Sequence, residues 1–180
     1  MPKVSDFSRR HFAASALSSL AVTVLPTHSG ANTTAQKRKG DAMTTLTPYL
    51  LFDGNCHEAM EFYQSCFGGE LMSMKVKDSP AKDRMPAFQL EKTVNARLKS
   101  EKLEISASDW LMPDRTRISG NAVCLYLSGG SLTELKALFE KLSQGADVTD
   151  PLQEQFFGFY GALNDKFGVR WMFQAAKPSA

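Results

Sequence analysis

Apolar positions along the chain switch between a spacing of two and a spacing of three to four, and the order of switching occurs twice. Thr47–Phe52 is a short strand-like run. Asn55 follows at a helix-cap position, with Glu58 three residues on to complete a capping-box pair. Ala59, Met60, Tyr63 and Phe67 recur at helical spacing, and Gly68-Gly69 closes that helix. Leu71–Val76, Val94–Leu98 and Leu103–Ala107 read as strands, the first two separated by a loop holding Pro80 and Pro86. The second half repeats the theme. Ala122–Leu127 is a strand, and Ser131-Leu132-Thr133-Glu134 is a capping box. It opens a helix carrying Leu135, Leu138, Phe139 and Leu142, with Gly145 as its stop. Strands follow at Val148, Phe159–Leu163 and Val169–Phe173, the last two joined by the turn Asp165-Lys166-Phe167-Gly168. Two copies of a strand–helix–three-strand module of about 70 residues are too few and too long for a solenoid. They predict one pseudo-symmetric α+β domain over residues 46–176, with modules at about 46–112 and 119–176.

Composition narrows the function classes. The 180 residues are 43% hydrophobic and 22% charged, which suits a folded chain and not a disordered one. Outside residues 1–31, basic and acidic side chains balance, so the domain lacks the positive footprint of a nucleic-acid binder. Cys56, Cys66 and Cys124 are an odd set, and the first two lie ten residues apart on one predicted helix. That is roughly 15 Å along the axis, beyond disulfide reach. The spacing is not that of a zinc site either, and the three read as buried or half-buried thiols.

The first 31 residues have a different character. Ser8-Arg9-Arg10-His11-Phe12 has the form of a twin-arginine export signal, followed by a mildly apolar run from Phe12 to Leu25. The run is too short to span a bilayer, so stable membrane insertion is not expected. Pro26 ends it, and Ser29-Gly30-Ala31 offers a cleavage site. Residues 1–31 are therefore expected to export the folded domain to the periplasm, with residues 32–45 as a polar linker. The alternative is a cytoplasmic protein whose true start is Met43, which stands directly before the first strand-like run.

Several motifs then carry a resemblance. Phe52-x-Gly54-Asn55-Cys56-x-Glu58-Ala59-Met60-x-Phe62-Tyr63 with Phe67-Gly68-Gly69 resembles the opening of the PhnB-like branch of the glyoxalase/bleomycin-resistance/dioxygenase (vicinal oxygen chelate) superfamily. Asn95-Ala96-Arg97-Leu98 with Ser106-Ala107-Ser108-Asp109 is similar to it as well. So is Gly158…Gly161 with Asp165-Lys166-Phe167-Gly168-Val169-x-Trp171-Met172. The likeness covers about residues 46–175. It implies paired βαβββ modules whose strands form a curved, partly open sheet around a cleft. It also implies a homodimer, in which modules of two chains can complete each other's clefts, and, in many relatives, a divalent metal.

The metal positions of the superfamily are altered here. The first falls on Pro48, the second on Ser106 or Ser108, the third on Asn121 and the fourth on Met172; Asn95 replaces a further common histidine. First-row divalent ions want imidazole, carboxylate or thiolate, so neither a metal nor another cofactor is expected, with a divalent metal as the alternative. The nearest strong donors, His57 and Glu58, lie in the helix cap and read as structural. Side chains two apart on a strand share a face. The expected cleft is then Pro48 and Leu50, Asn95 and Arg97, Ser106 and Ser108, Asn121, Val123 and Leu125, and Arg170, Met172 and Gln174. Tyr49, Leu51, Ile105, Ala107, Trp171 and Phe173 are expected in the core. Arg97 and Arg170 suit a carboxylate- or phosphate-bearing ligand, unless each pairs with a local carboxylate.

Other chemistry leaves no trace. No glycine-rich phosphate loop follows a strand, no cofactor-binding glycine motif supports a methyltransferase, and no Gly-x-Ser-x-Gly elbow supports a serine hydrolase. Two readings stand. One is a metal-free small-molecule binder with a partly apolar, anion-accepting cleft. The other is an enzyme of lyase, isomerase or dioxygenase type, metal-dependent or using Arg97, Arg170, Asn95 and Asn121 to polarise a substrate oxygen. A positioned general acid or base is not evident for the second.

Overall fold

In a computed structural model of the protein, which describes residues 44–120 and 122–177, the two modules have one topology. The first comprises β1 (Tyr49–Phe52), α1 (Cys56–Phe67), β2 (Glu70–Lys75), β3 (Thr93–Lys99) and β4 (Glu104–Asp109). The second comprises β5 (Leu125–Ser128), α2 (Leu132–Leu142), β6 (Asp147–Gln155), β7 (Gly158–Asn164) and β8 (Arg170–Ala175). Each builds an open four-stranded mixed sheet, in the orders β1-β4-β3-β2 and β5-β8-β7-β6. The first strand of each runs parallel to the last, and the other pairings are antiparallel. The repeat read from the sequence is thus a repeat of architecture. The export segment and the linker up to Met43 lie outside the described residues, as does Asn121.

Alternation explains the strands that match expectation. In β3, Thr93, Ala96 and Leu98 are buried while Asn95, Arg97 and Lys99 are exposed. In β8, Trp171, Phe173 and Ala175 are buried and Arg170, Met172 and Gln174 half-buried. α1 buries Ala59, Met60, Tyr63 and Phe67, and α2 buries Leu135, Leu138 and Leu142. The two modules share one apolar core. Tyr63 packs edge-on to Trp171 with ring centroids 5.6 Å apart, and Phe67 stacks on Trp171 at 5.5 Å. The deepest polar tie across the modules is Asp165, which accepts Tyr63 Oη at 2.7 Å and Trp171 Nε1 at 2.8 Å.

The strand edges and helix caps differ from expectation in two places. α2 starts as read, with Ser131 Oγ accepting the Glu134 N–H at 3.1 Å. α1 does not: Asn55 makes no side-chain cap bond. Its start is held by Asp109 at the end of β4, whose Oδ1 accepts Gly54 N–H at 2.9 Å and Cys56 N–H at 3.0 Å. The second difference is β6, a nine-residue strand where the sequence signals only Val148. β6 is an edge strand, so its residues can be polar, and Pro151 is tolerated where the register shifts between Asp150 and Gln153. At the α1–β2 turn only glycine fits position 69: φ is +93°, and a Cβ there would come within 2.3 Å of the Lys99 carbonyl oxygen.

Candidate functional site

Each sheet turns one face to the shared core and leaves the other uncovered. On the first sheet the register places Tyr49 beside Ser106, Leu51 beside Ser108, Arg97 beside Ser106 and Met72, and Asn95 beside Met74. These residues share the outer face. On the second, Tyr126 stands beside Met172, Met172 beside Ala162, Gln174 beside Tyr160 and Arg170 beside Asn164. The outer faces are unusually apolar for exposed surface, with Tyr49, Leu51, Met72, Met74 and Tyr126 all well exposed.

Asn95, Arg97, Ser106, Arg170, Met172 and Gln174 lie on these faces, exposed or half-buried, and Ser108 is buried there. Leu50 and Leu125 are half-buried, packing against the core while also lining a cavity where the modules meet. Val123 precedes β5 and is 80% exposed. Tyr49 and Leu51, expected in the core, take the outer face instead. The reversal has a simple cause. Tyr49-Leu50-Leu51-Phe52 is apolar at every position, as is Val123-Cys124-Leu125-Tyr126-Leu127 once the thiol is counted, so neither run displays a period of two. A one-residue slip in such a run moves every side chain to the other face.

A cavity of about 390 Å³ opens where the modules meet, between the edge of β1 and the β7–β8 turn. Tyr49, Leu51, Ile118 and Phe167 give it apolar walls, and Arg170 and Arg117 its charge. Its size falls within the ordinary range for small-molecule sites. Arg170 donates from Nη1 to Asn164 Oδ1 at 3.4 Å, and among the described residues no carboxylate pairs with it. Arg97 is in a different state, since its guanidinium is bound to the Glu104 carboxylate. It lines a separate hollow of about 340 Å³ on the outer face of the first sheet, with Met72, Met74 and Asn95. The structure thus separates the two arginines that the sequence suggested as joint anchors. It adds Arg117 and Ile118, which lie between the modules in a stretch without alternation and so carried no signal.

Groups whose ionisation the fold shifts lie elsewhere. Burial, with the Asp109 carboxylate adding to it, pushes the Cys56 thiol up to about 12. Burial raises Cys66, and burial together with Asp165 raises the Tyr63 hydroxyl. Hydrogen bonds from Lys77 and Lys75 lower the exposed Glu91 to about 2. None of these lines the junction cavity.

Two kinds of bound group can be tested against the residues present. For a divalent metal, the superfamily's positions hold Pro48, which has no donor, Ser106 and Ser108, and Met172, whose Sδ lies 3.0 Å from Cys124 Sγ. Among the described residues no three His, Cys, Asp or Glu side chains converge. This donor set does not fit a first-row divalent ion. For a nucleoside cofactor, the two strand-to-helix turns are the places where N–H groups at a helix start would cradle an anion. At both, an acceptor of the chain is already in place. Asp109 accepts Gly54 and Cys56 N–H before α1, and Ser131 Oγ accepts the Glu134 N–H at the start of α2.

Comparison with known proteins bears on the same residues. The sequence profile of the family described as 3-demethylubiquinone-9 3-methyltransferase matches residues 44–174. The chain is 31% identical to protein YjdN of Escherichia coli K12 over 144 residues, 73% of this chain and 95% of YjdN. It is similar to the crystal structure of protein PA1353 from Pseudomonas aeruginosa, with a TM-score of 0.67, 33% identity and coverage of 74% and 98% of the two chains. The Bacillus cereus PhnB protein, titled a putative 3-demethylubiquinone-9 3-methyltransferase, aligns with a TM-score of 0.60 and 25% identity over 74% of this chain and all of that one. A glyoxylase/bleomycin resistance protein/dioxygenase domain from Frankia, 17% identical over 76% of this chain and all of that one with a TM-score of 0.52, shares the fold.

Proposed function

The chain belongs to that family, the PhnB-like branch of the glyoxalase/bleomycin-resistance superfamily, and from this premise we propose that it is a metal-independent binder of a small, partly apolar anion. The observation that carries the reading is Arg170, half-buried at the junction cavity and without a carboxylate partner among the described residues. A guanidinium held beside apolar walls, short of a counter-charge, is built to receive one. Tyr49, Leu51, Ile118 and Phe167 suit an aromatic or aliphatic body attached to the anionic group. Among the described residues no carboxylate or imidazole lines the cavity to act as acid or base, and this favours binding over turnover. The family description names methyl transfer, but at both helix starts acceptors of the chain already take backbone N–H groups that a cofactor's anionic group would use.

The binder is proposed to act as a homodimer, because the apolar outer faces and the free edges of all four edge strands are left for a second copy to cover. Reading residues 1–31 as an export signal puts this activity in the periplasm.

The test is titration of benzoate, phenylacetate and phenylphosphonate into the protein by calorimetry, alongside Arg170→Met. A charge-assisted bond is worth about 1.5–3 kcal/mol, so the variant is expected to bind about tenfold to a hundredfold more weakly. Its circular dichroism and unfolding midpoint should stay those of the parent. Probes that bind both proteins equally, or neutral analogues that bind as well as the anions, would rule out the anion.

A further inference from the structure

The β6–β7 hairpin ends in a feature that the binding reading leaves unused. Gln155 pairs with Gly158, so Phe156 and Phe157 occupy the two turn positions. Such positions ordinarily hold Gly, Asn or Asp, because turns face water. Here Phe156 is 91% exposed and Phe157 half exposed. Their rings pack edge-on with centroids 4.9 Å apart, and Phe157 leans on Tyr160 at 6.0 Å, which holds the tip outward. Behind the tip the charges are spent, since Lys177 pairs with Glu154 at 2.8 Å. The result is a braced, uncharged aromatic knob.

The same chain carries a hollow of matching chemistry. On the outer face of the first sheet, Met72 and Met74 project from the edge strand β2, with Asn95 and Arg97 beside them, around about 340 Å³. Arg97 is neutralised by Glu104. Thioethers make favourable contacts with aromatic ring edges and adapt their shape to what enters.

We propose that the Phe156–Phe157 tip of one copy seats in the Met72/Met74 hollow of a second copy, so that each partner contributes two aromatic rings to the other's first-sheet face. This rests on the homodimer reading above and goes beyond it by naming the contact. A second copy is favoured as occupant because knob and hollow occur once each per chain among the described residues. A two-fold axis that joins them once joins them twice and closes the assembly. Phe156 and Phe157 of the knob and Met72 and Met74 of the hollow together expose roughly 450 Å² per chain, more than half of the ~800 Å² per partner of a standard interface.

Two measurements on the full chain test this and keep its failure distinct from that of the dimer. Sedimentation equilibrium is expected to show a dimer whose dissociation constant rises at least tenfold in the double variant Phe156→Ser/Phe157→Ser, with an unchanged circular dichroism spectrum because both rings are exposed. In the pair Met74→Cys with Phe156→Cys, mild oxidation is expected to give a disulfide-linked dimer on a non-reducing gel that neither single variant gives. A dimer that neither cross-links nor weakens overturns the hairpin contact while leaving the dimer in place. A monomer overturns both. Loss of binding to phosphatidylglycerol vesicles in the double variant, with association unchanged, assigns the tip to a lipid surface and overturns the proposal.

Discussion

Replacing Asp165 by alanine is expected to cost about 4 kcal/mol of stability, the largest single effect in the domain. Its carboxylate is 4% exposed and accepts four hydrogen bonds: Tyr63 Oη at 2.7 Å, Trp171 Nε1 at 2.8 Å, and the Phe167 and Val169 N–H groups at 2.9 Å. The alanine variant leaves the hydroxyl and the indole N–H buried with no acceptor, and each orphaned donor costs about 1–3 kcal/mol. It also loosens the turn that sets β8 against β7. The Asp165→Asn variant would keep one oxygen for the two turn N–H groups while pointing an amide N–H at the other two donors. The tyrosine hydroxyl can rotate to accept it; the indole cannot. Urea denaturation should therefore rank Asp165→Ala worst, Asp165→Asn next and Tyr63→Phe mildest, the last at about 1 kcal/mol. An alanine variant within about 1 kcal/mol of the parent would mean that Asp165 does not join the modules as described.

The second large effect is expected at Asp109, about 3 kcal/mol on substitution by alanine, for a related reason. One oxygen caps the start of α1 through Gly54 and Cys56, and the other accepts Thr93 N–H at 2.7 Å at the start of β3. A single buried carboxylate thus fixes a helix start, the first residue of one strand and the end of another. The informative control is Asn55→Ala. A working N-cap side chain is worth about 1 kcal/mol, yet Asn55 makes no such bond, so its loss should be worth less than about 0.5 kcal/mol. Equal losses at the two positions would restore the local cap and contradict the long-range one.

That contrast shows what the sequence could and could not reveal. Asn55 and Glu58 have the spacing of a capping box, but the acceptor that the helix uses lies more than fifty positions later, and no local pattern announces it. The repeat was legible because β3, β4 and β8 each bury one face, which forces polar and apolar residues to alternate. Asn95, Arg97, Ser106, Arg170, Met172 and Gln174 are the exposed or half-buried members of that alternation, which breaks at the end of β4, where Ser108 and Asp109 are both buried. The parallel strands β1 and β5 carry apolar side chains on both faces, because the outer one also lines a cavity or awaits cover. That same property hides their register: Tyr49 and Leu51, expected in the core, are exposed, while Leu50 and Leu125 both pack against the core and line the junction cavity. β6 escapes for the opposite reason: on an open edge it buries little, so Thr149, Asp150, Gln153 and Glu154 give it the look of a loop. The pairing of Arg97 with Glu104 depends on register across a hairpin, which no local pattern reveals.

Binding through Arg170 is expected to be independent of metal, and calorimetry before and after chelation checks this. The protein is dialysed against EDTA, then into metal-free buffer, and titrated with the tightest-binding anionic probe; the titration is repeated after adding one equivalent of zinc, manganese or nickel. The same stoichiometry and affinity are expected in every case. Binding that disappears on chelation and returns with one of these ions would contradict this independence.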